Sequence, residues 1–137
     1  MIAVDTGFLY ALVDRGDAWH SRAVAAAPTV QEGWITTWPV LTETTHLLTR
    51  RLGTRFAQAL MHEVADGGLA CWDIAPDKLA AIPDMMRRYT KLPMDLADAS
   101  LVLLAEHLGH GRILTTDERD FGSYRWKSRK PFQNLLA

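Results

Sequence analysis

Short apolar runs that stop at an acid, separated by segments of helical periodicity, constrain this chain more than any other feature. Met1 to Val4 is apolar and ends at Asp5, after which Phe8, Leu9, Leu12 and Val13 recur at helical spacing. Arg112 to Thr116 repeats the form and ends at Asp117. Between them, Gly33 to Thr37 and Leu69 to Ala75 read as strands. Helices are predicted over Ala18 to Ala27, from Pro39 to about Leu52 ahead of Gly53, from Phe56 to Val64, over Asp77 to Tyr89, and over Asp95 to Leu108 ahead of Gly109. Strands separated by ten or so helical residues pair in parallel and need helices on both faces. The expected fold is therefore α/β, a three-layer α/β/α domain with a mainly parallel central sheet. Gly and Pro are scattered singly and no period repeats, so one domain is expected over residues 1–137, with weak periodicity in its closing thirty residues.

In such a sheet, ligands bind beyond the carboxyl ends of the strands, where Asp5 and Asp117 fall. Two further acids sit near helix starts. Glu43 has Val40 and Leu47 at i−3 and i+4, which places it on an apolar, inward-facing stripe. Asp98 shares its face with Leu101, Val102 and Ala105. An acid in a first helical turn gains up to about 1 kcal/mol from the helix dipole without any function, so no one of the four is diagnostic. Together they are. Carboxylates brought into one crevice raise one another's pKa unless a cation neutralises them. An all-oxygen donor set suits Mg²⁺ or Mn²⁺, which keep open positions for phosphate oxygens; two such ions about 3.5–4 Å apart are the arrangement of many phosphodiesterases.

Composition removes competing classes. The one cysteine, Cys71, excludes an internal disulfide and a cysteine-based zinc site and suits a reducing compartment. Fifteen basic residues against sixteen acidic give a net charge of −1, so no global positive field marks a nucleic-acid binder. The amino terminus meets an acid after four residues and reads as neither a leader nor a membrane span, so a cytoplasmic location with no membrane partner is expected. There is no phosphate-binding glycine loop. Glu43 and His46 form an E-x-x-H, but the second copy that a di-iron bundle requires is missing, so His46 reads as a packed or solvent-edge residue.

The segments VDTGFLYALVDRGDAWH around Asp5, PVLTETTHLLTRRLG around Glu43, DLADASLVLLAEHLG around Asp98 and ILTTDERDF around Asp117 together resemble the PIN-domain family, specifically its VapC-type toxin ribonucleases. The order and spacing of all four match over nearly the whole chain. The resemblance implies that Asp5, Glu43, Asp98 and Asp117 are the catalytic acids and metal ligands, with Mg²⁺ or Mn²⁺ as cofactor. Thr115 matches the family's hydroxyl residue, and Thr6 is a second candidate for orienting a carboxylate. It further implies an RNA substrate, neutralisation by a VapB-type antitoxin, and a homodimer. Asp95 reads as a helix cap and Asp120 as a turn residue beside Phe121-Gly122, each with metal contact as the alternative. Two other functions remain open: a non-catalytic PIN-like module that binds RNA or protein, and a metal-dependent DNA nuclease acting on flaps or single strands.

Possible RNA contacts form two groups. Arg125, Lys127, Arg129 and Lys130 lie in an acid-free strip interleaved with Tyr124, Trp126 and Phe132; without those four bases, 11 basic residues face 16 acidic ones. Such a strip can bind phosphates and stack unpaired bases, or it can be a solvated edge strand. Arg50 and Arg51, beyond Glu43, are the other group.

Overall fold

A computed structural model describes residues 1–136; Ala137, the last residue of the expected domain, lies outside them. The elements run β1 (Ile2–Val4), α1 (Thr6–Val13), α2 (His20–Ala26), β2 (Trp34–Thr37), α3 (Trp38–Arg51), α4 (Thr54–Ala65), β3 (Leu69–Trp72), α5 (Ala81–Arg88), α6 (Leu96–Leu108), β4 (Arg112–Leu114), α7 (Glu118–Ser123), β5 (Arg125–Trp126), β6 (Lys130–Pro131) and β7 (Gln133–Asn134). The main sheet has the order β3-β2-β1-β4-β7. Every pairing in it is parallel, with Ala3 opposite Ile35 on one side and Ile113 on the other. The three-layer α/β reading of the sequence is therefore borne out.

Two departures from the sequence reading have local causes. The helix expected over Asp77 to Tyr89 is a short turn at Pro76–Lys78 followed by α5. Pro83 lacks an N–H and is tolerated only in a first helical turn, so α5 cannot begin much before Ala81. The closing thirty residues, which show little periodicity, supply α7, the fifth strand β7, and a β5–β6 hairpin. That hairpin turns through residues 127–129, between the paired Trp126 and Lys130, and its first two turn residues, Lys127 and Ser128, are both at positive φ (49° and 66°), the conformation of a type I′ turn.

Chain order fixes where the crevice lies. From β1 the chain steps outward through β2 to β3, then crosses back under α5 and α6 to β4 on the other side of β1. Right-handed crossovers then put α1 to α4 on one face and α5 and α6 on the other. The strand order reverses between β1 and β4, so a crevice opens above the carboxyl ends of those two strands. Helix α6 is buried along Ala97 and Ala99–Ala105, wedged between the sheet and an outer layer of α5 and the hairpin. Leu101 and Leu104 are fully buried, each worth about 1.5–3 kcal/mol of transfer free energy. Among the described residues, no helix is long and apolar enough to cross a membrane.

Candidate active site

Asp5 follows β1 directly and caps α1: its Oδ1 accepts the Thr6 backbone N–H at 2.7 Å. Its Oδ2 accepts the Thr115 hydroxyl at 2.9 Å. The carboxyl is only 8% exposed, and burial pushes its pKa up to about 6 despite these two hydrogen bonds, with the charges of Glu43 and Asp117 adding to the rise. Thr115 is fully buried just beyond β4 and works in both directions. Its oxygen accepts the Asp117 N–H at 3.0 Å while its hydrogen goes to Asp5. One hydroxyl thus ties the two strand-end acids together.

Thr115 is itself held from the far end of the chain. The Asn134 amide on β7 donates to the Thr115 carbonyl at 3.0 Å, and its oxygen accepts the Thr115 N–H at 3.3 Å. Gly7 meets the same loop from the other side: a Cβ there would lie 2.0 Å from the Thr116 hydroxyl and 3.2 Å from its Cβ, so any larger residue makes the Thr116 side chain move. Neither Asn134 nor Gly7 stands out in the sequence. Asn134 sits in the weakly periodic tail, and Gly7 lies between the apolar run that ends at Val4 and the helical spacing that begins at Phe8.

Asp98 enters from α6. Asp95 caps that helix, accepting the Asp98 N–H at 2.8 Å, while Asp98 Oδ2 accepts the Asp95 N–H at 3.2 Å, a reciprocal capping box. The Tyr124 hydroxyl also reaches Asp98 Oδ2 at 3.2 Å, with the Pro93 carbonyl at the same distance as its other acceptor. Burial, then the neighbouring charge of Asp95, pushes the Asp98 pKa up to about 8; Asp5 adds to it. Burial and the surrounding acids raise the Tyr124 phenol as well, so it remains a donor. Tyr124 is fully buried, which contradicts its reading as a base-stacking aromatic.

Asp117 caps α7 and accepts the Asp120 N–H at 3.0 Å; burial and the Asp120 carboxyl raise its pKa. Asp120 is a helical residue rather than part of a turn, and its largely buried side chain adds to the acidic field around Tyr124. Glu43 also needs correction. The buried stripe of α3 is Val40, Leu41, Thr44 and Leu48, and at roughly 100° per residue Glu43 lies about 115° from its centre. It is exposed, at the crevice mouth, with His46 one turn on. Thr6 donates through its backbone, while its hydroxyl faces Val40 and Thr44 on α3 instead of a carboxylate.

The candidate RNA contacts lie apart from these acids. The Lys127 backbone N–H binds Glu106, eight residues and about 12 Å along α6 from Asp98. Trp126 is buried, and its indole closes the hairpin on the Pro131 carbonyl at 3.1 Å. The Arg125 guanidinium donates to the Gly122 and Tyr124 carbonyls, and Arg51 stacks over Tyr10. Arg50, Arg129 and Lys130 are exposed, the last lying over the Trp126 ring.

The pattern of the PIN domain family matches residues 2–127. The chain belongs to the PIN-domain family. Ribonuclease VapC26 of Mycobacterium tuberculosis is a relative of this PIN domain at 28% identity, over 89% of this chain and 90% of that protein. The crystal structure of VapC20 from the same organism, described as a sarcin-ricin loop cleaving toxin, superposes with a TM-score of 0.80 at 25% identity, covering 88% of this chain and 92% of that one. The resemblance read from the four acidic segments is borne out at the level of the family and its VapC-type members.

The acids fit a hard divalent cation. Asp5 is a buried oxygen donor and Asp98 and Asp117 are half-buried ones; the proton affinity of all three is raised, and none of them or Glu43 forms a salt bridge among the described residues. Among those residues no three such side chains close into a ready-made cage. Mg²⁺ does not need one: it takes one or two carboxylates and keeps waters and phosphate oxygens for its other positions.

Proposed function

We propose that this PIN domain is a divalent-cation-dependent endoribonuclease toxin of the VapC type, working in the cytoplasm as a homodimer and held in check by a cognate VapB-type antitoxin. The observation that carries it is the placing of buried Asp5 and half-buried Asp98, neither paired with a basic side chain among the described residues, at the switch point of the sheet beside Asp117. The relatives' printed activities supply the substrate class.

Asp5, Asp98 and Asp117 would hold Mg²⁺ or Mn²⁺, and Glu43, exposed at the mouth, would bind the cation or orient the attacking water. The bound cation supplies charge neutralisation on the phosphodiester and a water more acidic than bulk. The chain's own part is positional. Thr115 fixes the Asp5 carboxylate and the Asp117 backbone at once, and the Tyr124 hydroxyl fixes Asp98. The basic residues of the hairpin and of the end of α3 would meet the strand away from the cut.

Purified protein is expected to cut structured RNA with Mn²⁺ or Mg²⁺ and to stop in EDTA, and Asp5→Asn to remove cutting while keeping the fold by circular dichroism. Equal cutting in EDTA, or digestion of DNA in place of RNA, would sink the proposal. Thr115→Val tests the hydroxyl bridge. It strands the Asp117 N–H and loosens Asp5, so turnover should fall about 10–100-fold and stability by about 1–3 kcal/mol in urea titrations. Unchanged turnover would assign Thr115 to packing alone.

A further inference from the structure

A cavity of about 590 Å³ opens beside the acids between the starts of α3 and α6, within the size range of small-ligand sites. Trp38, Pro39, Thr42, His46 and Leu96 line it together with Glu43, whose charge acts on Asp5, and Asp95, which is hydrogen-bonded to Asp98, so it adjoins the crevice. Trp38 and Leu96 are each 48% exposed, two of the five exposed large hydrophobics among the described residues, and both flank this one space. Trp38 is not loose. It is the first residue of α3, and its indole N–H donates to Asp73 Oδ1 at 2.5 Å, which sets the ring's orientation.

We infer that this cavity seats one unpaired nucleobase of the substrate strand next to the cut phosphate, with Trp38 as the platform on which the base stacks. The inference rests on the reading of the chain as a ribonuclease and adds to it a determinant of substrate choice. The lining carries no Lys or Arg, and two acids stand on its rim, so a phosphate is a poor occupant. A flat neutral group with an aromatic face and donor edges fits instead: the base stacks on the indole, while its amino and imino hydrogens meet Asp95, Thr42 and His46. Unpaired bases are the part of RNA that can be splayed out in this way, and stacking on one aromatic residue is worth roughly 5- to 150-fold in affinity.

The test measures steady-state cleavage of a hairpin RNA with Mn²⁺ by the wild type, Trp38→Ala and Trp38→Phe. Binding of an uncleavable, backbone-modified version of the same RNA is measured in parallel by fluorescence anisotropy in the same buffer. Trp38→Ala should raise KM and weaken binding by about 10-fold or more, while Trp38→Phe, which keeps a ring, recovers most of the loss. Removing the base from one nucleotide flanking the cut should lower wild-type affinity by a similar factor and leave Trp38→Ala nearly unaffected. Equal losses for wild type and Trp38→Ala at every abasic position would overturn the inference. So would a shift in sedimentation of Trp38→Ala without a binding defect, which would make the face a contact between copies of the chain. If the wild type binds RNA in this Trp38-dependent way but does not cut it, the ribonuclease reading fails and the base seat stands.

Discussion

Asp98→Asn should melt higher than the wild type at pH 8 in EDTA, by about 3–6 °C, and still cut RNA at least about 10³-fold more slowly. The two effects share a cause. In the cation-free protein the Asp98 pKa lies near 8, against an ordinary value of 3.8, because burial and Asp95 oppose its charge. Between those limits the folded state holds a proton that the unfolded chain has released, so stability falls as pH rises through this window and the cost is nearly complete just above pH 8. One pKa unit corresponds to about 1.4 kcal/mol. Asp98 is only partly buried, so solvent screening reduces the gain expected from neutralising it to about 1–2 kcal/mol. Asparagine keeps the local geometry, since its oxygen can accept from Tyr124 and the Asp95 N–H as Asp98 Oδ2 does. It loses the anionic ligand, and several kcal/mol of transition-state stabilisation with it. At pH 4.5, where wild-type Asp98 is protonated, the two proteins should melt alike. A variant that melts lower at pH 8, or that keeps its turnover, would show that Asp98 stands where it does for the helix cap alone.

That same residue shows how much of the site can be read in the sequence. Asp5 is legible because the apolar strand Ile2–Val4 stops at it, and Asp117 because it closes the run that holds β4, although the strand itself ends three residues earlier at Leu114; parallel topology then brings the two neighbouring strand ends together. Asp98 is legible for a weaker reason. Its helix is apolar nearly all round, so the acid is conspicuous although periodicity says little about its direction. Glu43 exposes the limit of that argument. Val40 and Leu47 lie one turn either side of it, but the stripe that packs runs through Val40, Leu41, Thr44 and Leu48, and the polar Thr44 within it hides its direction from a reading by apolar residues alone. The residues that aim the acids are harder to see. Asn134 and Tyr124 act through hydrogen bonds to Thr115 and Asp98, 19 and 26 residues away in the chain, a separation at which local patterning carries no information. The basic strip misleads for a related reason: alternating bases and aromatics suit a strand facing RNA and a hairpin tucked under its own lysines equally well, and the burial of Tyr124 and Trp126 decides for the hairpin.

Affinity for Mn²⁺ or Mg²⁺ should fall about 100-fold between pH 8 and pH 6, and at pH 7 each binding event should release about one proton. A carboxyl must be ionised to hold the cation. With pKa values near 8 for Asp98 and near 6 for Asp5, the first is mostly protonated at pH 7 and the second mostly ionised. At pH 6 both compete, and at pH 9 neither does, so proton release should fade above pH 8 as affinity levels off. Calorimetric titration of the cation in buffers of different ionisation enthalpy measures the protons released directly. A stabilisation of about 2.7 kcal/mol is expected when the cation stands at 100 times its Kd, so the melting temperature at pH 8 should recover on addition of Mn²⁺. Asp98→Asn should release no proton at pH 7 and should gain little from the cation. A wild-type affinity that is flat from pH 6 to pH 8 would mean that the cation binds outside the buried acids, and would move the chemistry away from the carboxyl ends of β1 and β4 altogether.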